Sequence, residues 1–216
     1  MIIVNLKTYE QAYGERALII AKACKKVADE TGIRIIVCPQ AVDIRLVIES
    51  GAEVFAQHID TVSLGKFTGW VSPEIMINAG ITGTLINHSE HQLPLEKIKE
   101  RIDKCKELGI TSVVCAESIE EGLKIKELEP DVISIEPPEL IGSDISVSTG
   151  KPELIEDSVK ALQTDKIMVL VGAGVRTTED VKVAMKLGAK GILSASEISK
   201  SDNPEESLRI FARGFE

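Results

Sequence analysis

Five times along the chain a polar helix ending runs into a glycine, then Ile or Ala, then a short apolar stretch: "ETGIRIIVCP", "ESGAEVFAQ", "NAGITGTLIN", "ELGITSVVCA" and "KLGAKGILSA". Glycine has no Cβ, so Gly32, Gly51, Gly80, Gly109 and Gly188 can take the left-handed conformation that ends a helix without steric penalty. Each instance therefore reads as helix, stop, strand. The apolar runs Ile2 to Leu6, Val132 to Glu136 and Ile167 to Val171 bring the strands to eight, and helical patterns such as Leu95 to Leu108 and Thr178 to Leu187 separate them. The strands are continuous Ile/Val-rich runs rather than clean alternations, which is the pattern of a parallel sheet covered by helices. Eight near-uniform units with no linker in 216 residues predict an α/β chain folded as one (β/α)8 barrel over residues 1–216, with shortened helices and loops. A doubly wound open sheet has the same alternation and is the competing arrangement.

Composition narrows what such a barrel can do. Hydrophobic residues are 44% and charged residues 27%, the balance of a globular protein with a large core, while aromatics at 3% leave Ile, Val, Leu and Ala to build it. The net charge of -9 and the lack of any basic stripe argue against nucleic acid as a partner. The start "MIIVNLKTYEQAYG" shows no basic leader with an apolar segment behind it, and no run approaches a membrane span, so a cytoplasmic protein without a membrane partner is expected. Cys24, Cys38, Cys105 and Cys115 form no C-x-x-C pair and read as small buried hydrophobes.

In either candidate fold the chemistry belongs just past the C-terminal ends of the strands. Those positions hold Asn5 and Lys7 after strand 1, Cys38-Pro39-Gln40 after strand 2, Gln57-His58 after strand 3, and Asn87-His88-Ser89-Glu90 after strand 4. Strand 5 delivers Cys115-Ala116-Glu117 and strand 6 delivers Glu136, followed at once by Pro137 and Pro138. Strands 7 and 8 end in Gly172-Ala173-Gly174 and Ser194-Ala195-Ser196, two adjacent small-residue loops whose backbone N–H groups can approach a phosphate. "GAGVRT" is not a dinucleotide fingerprint, because Thr177 stands where the third glycine would be, and "STGKP" is not a P-loop, because Pro152 replaces the required hydroxyl residue. A lysine, an imidazole and a carboxylate on one rim fit proton abstraction next to a carbonyl: the carboxylate takes the proton, the imidazole polarises the oxygen and the lysine stabilises the enediolate. His58 and His91 read as structural or surface residues, and His88 with His91 lacks an acid partner at zinc-site spacing.

The motifs "VNLKTY", "LINHSEHQ", "SIEPPELIG", "VGAGV" and "LSAS" fall in order on strands 1, 4, 6, 7 and 8, and together the chain resembles the triosephosphate isomerase family in its short archaeal-type form. The resemblance implies a TIM barrel that interconverts dihydroxyacetone phosphate and D-glyceraldehyde 3-phosphate in glycolysis and gluconeogenesis, with no cofactor and no metal. It implies Glu136 as the base, His88 as the neutral electrophile, Lys7 as the positive charge beside the substrate, and Asn5 as a group orienting the polar network. Ile141 and Gly142 would lie in a lid, Gly174, Ala195 and Ser196 would offer N–H groups to the phosphate, and Glu90 would be an acid behind Lys7 and His88. The segment "PLEKI" opens a helix close after His88, and a helix N-terminus disfavours imidazolium. The resemblance also implies a homo-oligomer, a tetramer in preference to a dimer, with Gln57 to Trp70 at a contact.

The chain departs from the family pattern in three stretches. His91 and Gln92 stand where longer members carry arginines, Ser143-Asp144 follows Gly142 where a second glycine is usual, and Ser194 precedes the phosphate positions of strand 8. Another phosphate-binding barrel, a sugar-phosphate isomerase or lyase, would share the loops of strands 7 and 8 but has no reason to combine N-x-K, H-S-E and E-P-P. A catalytically dead barrel would be expected to have lost Lys7, His88 or Glu136, and all three are present.

Overall fold

In the computed structural model, which describes residues 1–137 and 152–216, eight parallel strands close into one barrel in sequence order. The strands are β1 (Ile2–Asn5), β2 (Ile35–Cys38), β3 (Glu53–Ala56), β4 (Gly83–Ile86), β5 (Thr111–Ala116), β6 (Val132–Ile135), β7 (Met168–Val171) and β8 (Gly191–Ser194). β8 returns to β1, with Ile2, Ile3 and Val4 opposite Ile192, Leu193 and Ser194, so the open doubly wound sheet is excluded. The lid expected at Ile141 and Gly142, its neighbours Ser143 and Asp144, and Pro138 of the proline pair lie outside the described residues.

The helices between strands are α1 (Glu15–Thr31), α2 (Ile44–Ile48), α3 (Pro73–Ala79), α4 (Leu95–Leu108), α5 (Ile119–Lys126), α6 (Pro152–Leu162) and α7 (Thr178–Lys186), followed after β8 by α8 (Ser196–Ser199) and α9 (Pro204–Ala212). Several are short, and three of them end directly on a glycine of the repeating signal. Gly32, Gly80 and Gly109 cap α1, α3 and α4 at φ 70, 115 and 68, returning N–H groups to the last carbonyls of each helix. Pro152 opens α6 and Pro73 opens α3, where the missing N–H costs no hydrogen bond.

Three strands are a residue shorter than the apolar runs suggest, each for a local reason. Leu6 and Glu136 lie past the ends of β1 and β6, yet their N–H groups still bond Cys38 O (3.0 Å) and Ala116 O (2.9 Å), so the ladder continues to fix them. Ile167 is instead caught by the side chain of Thr164, which accepts its N–H at 3.0 Å.

Alternation sorts the strand residues into two cores. Ile3, Ile36, Phe55, Leu85, Val113, Val132, Leu170 and Leu193, with Cys38 and Cys115, fill the barrel interior, while residues such as Ile2, Val4, Ile35 and Val37 pack outward against the helices. All four cysteines are buried and unpaired. Among the described residues no helix is long and apolar enough to cross a membrane.

Candidate active site

Strand parity decides what reaches the mouth of the barrel. Val132 is an interior residue, so Ser134 and Glu136, two and four positions on, face the same way, and Glu136 ends at the C-terminal rim with 2% exposure. Opposite it, β4 is followed by Asn87 at φ 60, a left-handed residue that turns the chain. Asparagine tolerates that conformation, and its side chain fixes the turn: its amide donates to Cys115 O and Glu121 Oε1, both at 3.0 Å, and its Oδ1 accepts from Leu93 N at 2.8 Å. The turn brings His88, also buried, over the barrel, where its Nε2 lies 3.4 Å from Glu136 Oε2.

The protonation of His88 follows from its hydrogen bonds. The backbone N–H of Glu90 donates to Nδ1 at 3.1 Å, so Nδ1 is an acceptor and the ring proton sits on Nε2, facing Glu136. The carboxylate of Glu90 is also near Nδ1, at 3.6 Å, but two acceptors cannot bond each other. Burial, and then the charge of Lys7, hold the imidazole pKa below its ordinary value, while Glu90 works against them. Burial and the Lys7 charge thus favour the neutral ring.

Lys7 extends over the same rim, with its Nζ 2.7 Å from Glu90 Oε1. Its backbone is left-handed at φ 48, which for a side chain other than glycine costs about 1 to 2 kcal/mol. Asn5 holds one side of this turn by accepting the Lys7 N–H on Oδ1 at 3.0 Å. Lys7, His88, Glu90 and Glu136 thus line one cavity of about 260 Å³. Gly174, Ala195 and Ser196 line its far wall, together with Gly172, Tyr9 and Arg176. Gly174 has φ 70, and α8 is tied to β1 by the Ser199 hydroxyl, which donates to Asn5 O at 3.2 Å.

Burial raises the Glu136 pKa from 4.5 to about 7, against the opposing pull of hydrogen bonds from Cys115 and Ser134 and of the Lys7 charge. A carboxyl poised there is a base of the right strength for neutral pH. The folded state binds the proton more tightly than the unfolded chain, so this group's stabilising effect is complete below the unfolded value and is lost as pH rises through about 7. At about 1.4 kcal/mol per unit, the ionised carboxylate costs the fold roughly 3 kcal/mol.

Sequence reasoning missed the residues around the Glu136 carboxyl. Ser134 Oγ lies 3.4 Å from Glu136 Oε1, the Cys115 thiol hydrogen-bonds the same carboxyl, and a Cβ on Gly172 would fall 2.3 Å from Glu136 Cγ. Parity could have found two of them, because a serine two residues before an interior acid, and a cysteine two after interior Val113, must share its space. His58 and His91 stack on each other at 4.4 Å and His58 Nε2 contacts Asp60 Oδ1 at 3.3 Å, and both rings line a neighbouring cavity that shares Lys7, His88 and Glu90 with this one.

The family model described as triosephosphate isomerase matches residues 1–212. A triosephosphate isomerase of Methanocaldococcus jannaschii is 45% identical over 212 residues, 97% of this chain and 97% of the relative. Those of Methanobrevibacter smithii and Methanobacterium bryantii are 46% and 45% identical over 211 residues, covering 96% of this chain and 95% and 93% of theirs.

Proposed function

We propose, from the premise that the chain belongs to the triosephosphate isomerase family and is an isomerase, how its own residues carry the reaction between dihydroxyacetone phosphate and D-glyceraldehyde 3-phosphate. The observation that carries this mechanism is the facing pair of a neutral imidazole with its proton on Nε2 and a buried carboxyl of raised pKa, 3.4 Å apart. The substrate's two reacting carbons replace that direct contact. Glu136 takes a proton from the carbon that bears the hydroxyl as His88 Nε2–H gives its proton to the carbonyl oxygen; the imidazole then regains a proton from the other oxygen of the enediol, which becomes the new carbonyl, and Glu136 returns its proton to the adjacent carbon. Lys7 supplies the positive charge that the dianionic substrate needs on a chain of net charge -9. Asn5 fixes the Lys7 turn, Glu90 fixes both Lys7 and the His88 tautomer, and Gly174, Ala195 and Ser196 offer N–H groups to the phosphate.

A coupled assay on glyceraldehyde 3-phosphate tests this directly. Isomerisation is expected without added metal or cofactor, and kcat/KM is expected to fall on the acid side with a limb near pH 7, because only ionised Glu136 accepts the proton. An inactive protein, or a limb near the ordinary carboxylate value, contradicts the assignment.

The chain is further proposed to assemble as a homo-oligomer, a tetramer in preference to a dimer. The support is the segment between β3 and α3, which exposes Leu64, Phe67 and Trp70 at 67%, 47% and 56%. Sedimentation equilibrium is expected to report four chains, and fewer on Phe67→Ser with Trp70→Ser. A dimer corrects the number, whereas a monomer removes the proposal.

A further inference from the structure

The left-handed turn at Lys7 has no glycine to ease it, so something must hold it. Its N–H is taken by Asn5, and its carbonyl oxygen accepts two side-chain amides, Gln40 Nε2 at 2.7 Å and Gln57 Nε2 at 3.2 Å. Gln40 follows β2 and Gln57 follows β3, so the ends of two neighbouring strands converge on one peptide group of the loop after β1. The two glutamines are also joined to each other, Gln40 Nε2 donating to Gln57 Oε1 at 3.0 Å.

Their roles differ. Gln57 Nε2 is shared among Lys7 O, Cys38 O at 3.0 Å and Asn5 Oδ1 at 3.3 Å, more acceptors than it has N–H groups. Gln40 Nε2 has two N–H groups and two acceptors, Lys7 O and Gln57 Oε1, so its donors are wholly committed to the clamp. The carbonyl of Lys7 likewise has two lone pairs and two donors.

We propose that Gln40, supported by Gln57, is a positioning residue for the reaction: its amide locks the Lys7 peptide in the left-handed turn that aims the ammonium across the rim toward Glu90 and His88. Without that donor the Lys7 peptide is free to relax to ordinary φ, which turns the side chain away from the mouth. The inference rests on the role given to Lys7 above. It predicts an electrostatic consequence, because the Lys7 charge depresses the pKa of both His88 and Glu136, and a displaced ammonium does so less.

The test compares Gln40→Met, close to glutamine in shape but lacking N–H donors, and Gln40→Ala with Lys7→Met and the wild type. Gln40 is half-buried on a loop, so both variants are expected to fold. Each is expected to raise KM about tenfold with kcat changed less than about threefold, the mark of lost binding rather than lost chemistry. The acid limb of kcat/KM is expected to move to higher pH by roughly half a unit as the Lys7 charge recedes from Glu136. A lower Tm with KM and the limb unmoved makes Gln40 only a loop support and overturns the clamp. If Lys7→Met raises KM and the Gln40 variants do not, the clamp alone fails; if Lys7→Met leaves KM unchanged, the role of Lys7 fails first and takes the clamp with it.

Discussion

Glu136→Gln is expected to lower kcat by about 10³-fold while leaving KM within a few fold, and at the same time to make the protein more stable at pH 8. The amide has the shape of the carboxyl and fits the same pocket, but it accepts no proton from carbon at ordinary pH. The stability gain has a separate origin. At pH 8 the native chain holds a charged carboxylate at 2% exposure, and burial, only partly offset by Cys115, Lys7 and Ser134, raises its pKa to about 7. Replacing that charge by a neutral isostere removes a cost of roughly 3 kcal/mol, reduced by whatever hydrogen bonds from Cys115 and Ser134 the amide fails to accept. The difference is expected to shrink as pH falls toward 5, where the wild-type carboxyl is itself protonated in the fold. Thermal unfolding of both proteins at pH 5 and pH 8, alongside the coupled assay, measures both effects. A variant with near wild-type kcat removes Glu136 as the base. A variant no more stable at pH 8 than at pH 5 relative to wild type shows that the carboxylate is better solvated than its burial implies.

The same physics explains how much of the molecule was legible in its sequence. The barrel was legible because five of the αβ junctions carry a glycine, and Gly32, Gly51, Gly80, Gly109 and Gly188 all have positive φ, whereas the junction before β6 turns on Glu129 at φ 54 instead. The positions of Lys7, His88 and Glu136 were legible because parallel strands deliver their last residues to one rim. What surrounds them was less so. The backbone N–H on Nδ1 and the burial that favour a neutral His88 have no letter in the sequence. Gln40 and Gln57 were visible at strand ends, but glutamine has no titratable group to mark it. Only the left-handed turn at Lys7, a property of the backbone, shows what they hold.

Gly172→Ala is expected to cost about 10²-fold in kcat, through a single methyl group that touches no substrate. The glycine is not required by its backbone, since it is absent from the positive-φ residues and its N–H makes an ordinary bond to Ile135 O at 2.8 Å. It is required by closeness. A Cβ there would sit 2.3 Å from Glu136 Cγ, 2.5 Å from Ser134 Oγ and 2.8 Å from Glu136 Oε1. None of these can yield cheaply, because Glu136 is enclosed by Cys115, Ser134 and His88 and its own backbone is fixed to Ala116. The carboxyl must move by on the order of 1 Å, and a displacement of that size between reacting groups is worth about 10² in rate. Overpacking should also destabilise the fold by about 1 to 3 kcal/mol. Adding Ser134→Ala relieves the contact with Oγ but not the shorter one with Cγ, so the double variant is expected to recover stability more than activity. A folded Gly172→Ala protein with wild-type kcat would show that Glu136 has room its surroundings do not display, and with it that the position of the base is set by the substrate rather than by the wall of strand 7.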